Sequence, residues 1–316
     1  MERYQKPKTE NWTGRKSEQQ LYLHEKIALL DLEKQAIPES SIVLLGYSCD
    51  EGVKRNQGRI GASKGPDLIR KAFSKMPNHL SSTTHIYDVG NIICADGDME
   101  NTQLELSQRV SKLLDKNNYP ILLGGGHDIA YGHYNGLKKH FGQTKKIGII
   151  NFDAHFDLRS NKNENNSGTP FYQIGQDCMS ENTDFMYLAL GIRKDANDQI
   201  LFKTANELGV NYIENSDFTL HNLAQIEKVL SKFIPQVDLL YVTIDLDGFS
   251  SAYAPGVSAP SPMGFSPDVV LKCLQHLFDS KKVVGIDIVE INPTHDIDNQ
   301  TAKLAASLLH FAVHSL

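Results

Sequence analysis

The run Asn151-Phe152-Asp153-Ala154-His155-Phe156-Asp157 sets two carboxylates and an imidazole at alternate positions directly after an apolar stretch, Ile147–Phe152. In extended backbone, residues i, i+2 and i+4 face one side, so Asp153, His155 and Asp157 are expected to converge at a strand end. Converging charges are poor core material. Buried without partners they are costly, and something cationic must compensate them. The alternative is a polar surface loop, which this run alone does not exclude.

Two further clusters weigh against that alternative. Asp245 and Asp247, in Tyr241-Val242-Thr243-Ile244-Asp245-Leu246-Asp247, fall side by side at the end of a second apolar stretch. Like charges this close share either a proton or a metal. Gly124-Gly125-Gly126-His127-Asp128 follows a third such stretch, and its glycines let the backbone turn tightly against a site. A phosphate cradle is a weak reading of this run, because it ends His-Asp rather than Lys-Ser/Thr. A lone histidine there would more often be structural. Beside the other two clusters it reads as a ligand. Together the three ends offer four carboxylates and two imidazoles, too many for one ion with an open position. Oxygen and nitrogen donors without thiolate suit Mn²⁺, and also Co²⁺, Ni²⁺ or Fe²⁺, better than structural zinc. Two ions bridged by shared carboxylates would lower the pKa of a bound water toward neutrality.

Positioning such a site requires strands that end together. Apolar runs rich in β-branched residues predict strands at Ser41–Tyr47, His85–Val89, Tyr119–Leu123, Ile147–Phe152, Met186–Leu190, Val210–Ile213, Leu239–Ile244 and Val283–Val289. Several are nearly continuous in apolar residues, as in strands buried on both faces of a parallel sheet. Helical spacing marks Pro66–Phe73, Thr102–Asp115, Asn197–Leu208, Ala224–Phe233, Pro267–Leu277 and Thr301–Phe311. This alternation predicts one α/β domain over residues 1–316, a three-layer parallel sheet of about eight strands with helices on both faces. Residues 1–40 read as an extension packed on it, with Leu21–Leu32 helical. Ligands of such sheets sit beyond the carboxyl ends of the strands, where the three clusters fall.

Composition narrows the class. A chain that is 40% hydrophobic and 22% charged is expected to be a soluble globular protein. A net charge of −6 argues against nucleic acid as a partner, which rewards a basic face. No apolar run approaches the ~20 residues that cross a bilayer, so no membrane partner is expected. Met1–Arg15 is polar and lacks the apolar core of a signal peptide. Cys49, Cys94, Cys178 and Cys273 are scattered without paired spacing, as reduced cytoplasmic thiols are.

The four segments that hold His127, Asp153–Asp157, Asp245–Asp247 with Pro255-Gly256 and Pro260, and Glu290-Ile291-Asn292-Pro293 together resemble the ureohydrolase family. That family includes arginases, agmatinases and formimidoylglutamases. The motifs stand in family order over residues 124–293, and Asp50–Arg70 adds a matching early segment. The resemblance implies an arginase-like fold, a homo-oligomer and two Mn²⁺ per subunit. It also implies that His127 and Asp157 bind one ion, His155 and Asp247 the other, and that Asp153 and Asp245 bridge both. Glu290 would pair with the cationic guanidinium or amidine end of the substrate, held over a bridging hydroxide.

Within the family, Asp245–Phe265, Ser167–Phe171, Leu190–Arg193, Trp12–Arg15 and Gly52–Arg59 are most similar to formimidoylglutamases. The implied reaction is hydrolysis of N-formimidoyl-L-glutamate to L-glutamate and formamide, a step of histidine breakdown. Two other readings stand beside it: a relative acting on a guanidino acid such as guanidinobutyrate, and a catalytically silent relative that only binds metal or a ligand. One departure matters. Arginases and agmatinases place a histidine before the glycine that here is Gly168, whereas this chain has Ser167. That leaves the general acid unassigned, or assigns it to Glu290 or water, and counts against those two activities. A substrate with two carboxylates needs cations nearby. Arg159, two residues past Asp157, could grip one with a bidentate fork, where arginases carry an asparagine. It could equally be a solvated surface arginine. Arg193, Asn56 and Arg59 are further candidates.

Overall fold

The computed structural model describes residues 3–142 and 144–316. Its strands are β1 Tyr4–Gln5, β2 Ala28–Leu29, β3 Ile42–Ser48, β4 Ile86–Ile93, β5 Tyr119–Leu123, β6 Ile147–Phe152, β7 Met186–Ile192, β8 Asn211–Glu214, β9 Leu239–Asp245 and β10 Val283–Val289. Its helices are α1 Leu23–Lys26, α2 Glu51–Arg55, α3 Gly65–Phe73, α4 Met99–Leu114, α5 Ile129–Phe141, α6 Pro170–Ser180, α7 Gln199–Glu207, α8 Leu223–Phe233, α9 Pro267–Asp279 and α10 Gln300–Ser315. All the strands join one sheet in the order β1-β4-β3-β5-β10-β9-β6-β7-β8, with β2 also on β4. Only the β1–β4 pair is antiparallel.

The apolar runs are continuous because both sheet faces are covered. Leu44, Leu123, Phe152, Leu190, Ile244 and Ile288 pack against residues of α3, α8, α9 and α10, such as Phe73, Leu230, Leu274 and Leu309. On the opposite face, Val43, Leu122, Ile149, Tyr187 and Tyr241 meet α4 to α7 through Leu106, Leu137, Ile174 and Leu201. The period of two along each strand sorts its side chains between these cores. The expected three layers are present.

The centre of the sheet places the site. β5, β10, β9 and β6 are neighbours, and their ends are level: Leu123 pairs with Ile288, Ile288 with Ile244, and Ile244 with Phe152. Each of the next segments therefore leaves the sheet at the same height, and each carries one of the sequence motifs.

Two expectations need correction. The eight expected strands are all present, but the sheet has ten, because the N-terminal extension contributes β1 and β2 to the flank of β4. The helix expected over Leu21–Leu32 is confined to Leu23–Lys26. Ile27 turns extended, and the Leu30 amide bonds the Asp88 carbonyl. The apolar spacing of Leu23, Ile27 and Leu30 mimics a helix. The exposed flank of β4, whose backbone groups need partners, draws the chain into strand pairing instead. The helices α2, α5 and α6 fall outside the helical segments named from the sequence. No helix among the described residues is long and apolar enough to cross a membrane.

Candidate metal centre

After β5 the chain turns through Gly124–Gly126, whose amides bond the Ile288, Tyr47 and Cys49 carbonyls at 2.8, 2.8 and 3.0 Å. A Cβ at Gly125 would collide with the Cys49 carbonyl oxygen, so only glycine lets the loop lie this close to β3. The turn delivers His127, whose amide donates to Glu290 Oε1 at 2.7 Å. Glu290 follows β10 with φ of +66°, and its own amide bonds the Gly125 carbonyl at 2.9 Å. The two loops thus fix one another. Thr243 Oγ1 lies 3.0 Å from His127 Nε2, which turns Nδ1 toward the carboxylates.

His127 Nδ1 is 3.2 Å from Asp153 Oδ2, 3.0 Å from Asp157 Oδ2 and 3.0 Å from Asp245 Oδ2. His155 Nδ1 is 3.4 Å from Asp153 Oδ1 and 3.3 Å from Asp247 Oδ1. The six sequence candidates thus form two groups able to hold an ion: His127, Asp153, Asp157 and Asp245, and then Asp153, His155 and Asp247. Asp153 belongs to both, one oxygen facing each. Asp245 sits in the first group, and its other oxygen accepts the Asp247 amide at 2.7 Å.

The convergence does not arise as the alternation suggested. β6 ends at Phe152, Asp157 has φ of +49°, and the run between them is a loop. Asn197 pins it, accepting from the Phe156 amide at 3.0 Å and donating to the Ala154 carbonyl at 2.8 Å. Asn197, Thr243 and Asn151 went unmarked in the sequence. For the last two a signal exists: each stands two residues before a ligand candidate, as a polar residue inside an apolar run.

Electrostatically the site is overloaded with anions. Burial, then the charges of Asp247 and Asp153, pushes the Asp245 carboxyl well above its usual range, and burial with Asp153 raises Asp157. Burial and Asp247 push Glu290 up to about 8. Burial would raise Asp153 too, but its contacts with His127 and His155 outweigh that and hold it low. Among the described residues, the buried His127 Nδ1 and Asp247 Oδ1 find no hydrogen-bond partner. Buried donor atoms without partners, amid carboxylates that resist ionising together, fit divalent cations with nitrogen and oxygen ligands.

Above the two groups opens a cleft of about 310 Å³, lined by His155, Asp157, Asp245, Asp247 and Glu290 on its floor. Its wall carries three of the four expected substrate contacts, Asn56, Arg59 and Arg159. Asn56 Nδ2 donates to Ser167 Oγ at 3.1 Å. Arg59 spends its guanidinium on the Ser258 carbonyl at 2.9 Å and on the Val257 carbonyl, tying two loops together. Arg159 packs against Gly168, where a Cβ would collide with its Nη1, and no acceptor among the described residues takes its guanidinium. Arg193 does not line the cleft. It is committed to Asp195 through Nε at 3.0 Å and Nη2 at 2.6 Å.

A sheet whose central strands end level, with β5, β6 and β9 leading into two adjoining ligand groups and β10 into Glu290 beside them, defines a class of protein. A family model described as the Arginase family matches residues 40–314, and the chain belongs to that family. Among its relatives, a formimidoylglutamase of a Geobacillus species is 42% identical over 318 residues, 98% of this chain and 97% of the relative. The formimidoylglutamase of Chromobacterium violaceum is 45% identical over 277 residues, 87% and 88% of the two chains. The solved formimidoylglutamase of Bacillus subtilis superposes with a TM-score of 0.82 at 25% identity, covering 95% of this chain and 94% of that one.

Proposed function

We propose that this chain is a formimidoylglutamase, which hydrolyses N-formimidoyl-L-glutamate to L-glutamate and formamide with two Mn²⁺ per subunit. The observation that carries the reading is the pair of ligand groups joined through Asp153, beneath a cleft whose wall holds Arg159, whose guanidinium no acceptor among the described residues takes. His127, Asp153, Asp157 and Asp245 would hold one ion, and Asp153, His155 and Asp247 the other. Their oxygen and nitrogen donors, without thiolate, suit manganese. When bound, such a pair polarises the substrate and makes hydroxide available near neutral pH.

The chain's own residues supply orientation. Glu290 faces the cleft beside both groups and pairs with the cationic amidine, aiming its carbon at the ions. Arg159 takes a glutamate carboxylate in a charge-assisted fork, and Asn56 and Ser167 border the same wall. A free guanidinium here repels an amine-terminated substrate such as agmatine, and Ser167 removes the histidine that arginases and agmatinases place there. The four cysteines are all unbridged, in keeping with the cytoplasm, where histidine breakdown proceeds.

The test is a product assay of the Mn²⁺-loaded chain against formimidoylglutamate, arginine, agmatine and guanidinobutyrate. Formamide release from formimidoylglutamate, with kcat/KM at least tenfold above the others, is expected. Urea release as the preferred reaction would move the chain to another branch of the family. No turnover of any substrate with metal bound would make it a silent relative.

A further inference from the structure

We propose that Asn151 and Tyr187 form a positioning pair that fixes which way the Asp153 carboxylate faces, and thereby sets the affinity of the ion on the His127 side. The inference rests on the two-ion reading above and assigns a task to residues that touch neither ion.

Asn151 is fully buried near the end of β6, two residues before Asp153, which opens the loop that follows the strand. Its Nδ2 donates to Asp153 Oδ2 at 3.0 Å and to the Tyr187 hydroxyl at 2.9 Å. Tyr187, buried in β7, donates in turn to the Phe156 carbonyl at 3.0 Å. The polarity of this chain is forced. The hydroxyl hydrogen is spent on a carbonyl that can only accept, so the hydroxyl oxygen accepts from the amide. The amide nitrogen therefore faces both acceptors, and its carbonyl oxygen, Oδ1, is left buried without a donor. A purely structural asparagine would satisfy its carbonyl too. This one leaves it unmet and aims its two N–H groups at the carboxylate and at the group that holds it.

Asp153 is the one residue shared by the two ligand groups. Its two oxygens are held by different donors. Oδ1, facing His155, takes the His155 amide at 2.7 Å. Oδ2 lies 3.2 Å from His127 Nδ1, and among the described residues Asn151 is its one amide donor. Removing the asparagine leaves the His155-side oxygen anchored by backbone and frees the His127-side oxygen. The two ions should therefore respond unequally, which generic loosening of the core would not produce. Groups of this kind behind metal ligands typically cost 10–100-fold in metal affinity when removed.

The experiment titrates the metal-free full-length chain, its Asn151→Ala variant and its Tyr187→Phe variant with Mn²⁺. Calorimetry and electron paramagnetic resonance serve as readouts alongside turnover. The parental chain should take two ions and show the spectrum of a coupled Mn²⁺ pair. Asn151→Ala should weaken one ion by 10- to 100-fold and leave the other within about threefold. At stoichiometric metal the coupled spectrum should give way to isolated Mn²⁺, and kcat should return with excess Mn²⁺ while KM holds. Tyr187→Phe should show the same asymmetry at smaller amplitude. It keeps the ring stacked on Phe171, at 4.6 Å between centroids, and so decides the matter if Asn151→Ala does not fold. Parental two-ion binding with unchanged or evenly weakened affinities in the variants, whatever their Tm, overturns the positioning role alone. A parental chain that binds fewer than two ions overturns the two-ion reading and this inference with it.

Discussion

Two buried carboxylate regions, one where α3 meets β4 and one beyond the ends of β5, β10, β9 and β6, end in opposite states. Arg70 of α3 is 1% exposed, and its guanidinium meets Asp88 Oδ1 at 2.8 Å, Asn91 Oδ1 at 2.7 Å and the Gly90 carbonyl at 2.8 Å. The other oxygen of Asp88 accepts Trp12 Nε1 at 2.8 Å, and the Gly90 amide returns to Oδ1 at 3.0 Å. Every charge there is answered within the chain. The strand-end clusters are buried as deeply, yet Asp153, Asp157, Asp245, Asp247 and Glu290 face two imidazoles, and two ligand atoms make no hydrogen bond. Arg159, the cation nearest in sequence, lies on the cleft wall and is taken by no carboxylate among the described residues. Burial costs both regions alike. The complete one holds the fold, and the incomplete one is shaped for what comes from solution.

The largest effect should come from making the incomplete region less anionic. Asp153→Asn or Asp245→Asn removes a carboxylate from the His127 group, and from both groups in the case of Asp153. Loss of an ion forfeits several kcal/mol of transition-state stabilisation, so kcat should fall by about 10³-fold or more. Elemental analysis should find fewer than two ions per chain. Two ions with full activity in Asp245→Asn would end the binuclear reading. The complementary break is Arg70→Met, which strands Asp88 without its cation at a cost of about 3–5 kcal/mol. Thermal unfolding should shift down markedly, while the folded fraction keeps its metal content. A second change, Asp88→Leu, should recover part of the loss. A large drop in bound manganese with Tm intact would mean the two regions are not separable in this way.

The two regions also differ in how plainly the sequence announces them. The ligands were legible because acid and histidine after an apolar run have few bland explanations. Asp88 and Arg70 were not, since each looks ordinary until β4 and α3 are brought together from 18 residues apart. The same holds for the free or spent state of an arginine. Arg193 and Arg159 both follow strand ends, but Asp195, two residues on, takes the first, and no acceptor among the described residues takes the second. Chain alternation placed Asp157 on the ligand side for the wrong reason, because tertiary bonds from Asn197, not extended backbone, fold the loop inward. Local pattern likewise made a helix of Leu21–Leu32, where the open flank of β4 decided otherwise.

A smaller effect tests the free cation. If Arg159 pairs with a substrate carboxylate, the bond is worth roughly 1.5–3 kcal/mol. Arg159→Ala should then lower kcat/KM for formimidoylglutamate about ten- to a hundredfold at unchanged metal content. Arg159→Lys should recover only part, having the charge without the fork. Parental kcat/KM in Arg159→Ala would remove it from substrate binding, and Asn56 would become the leading contact on that wall.

The smallest effect, and the sharpest on the contrast itself, is how the metal-free chain answers pH. Burial and Asp247 lift Glu290 from about 4.5 to about 8, and Asp157 and Asp245 are raised by burial and by neighbouring carboxylates. Burial disfavours charge on His127 and His155, but the carboxylates around them outweigh it, so both imidazoles hold their protons above the usual range. A group with a folded pKa above its unfolded value stabilises the fold below the unfolded value, and that help is lost as pH rises through the folded one. All five groups carry this sign. The protons stand in for the missing cations, and raising pH strips them away. Between pH 5 and 8 the Tm of the chelated chain should therefore fall, by about 3 °C or more, since ~1 kcal/mol moves a chain of this size by roughly 2–4 °C. Glu290→Gln should flatten the upper part of that fall. With Mn²⁺ present the slope should reverse, because the ions need deprotonated ligands and bind more tightly as pH rises. Arg70→Met should lower both curves without changing either slope. A metal-free Tm that climbs from pH 5 to 8 would mean the strand-end carboxylates are not competing for charge.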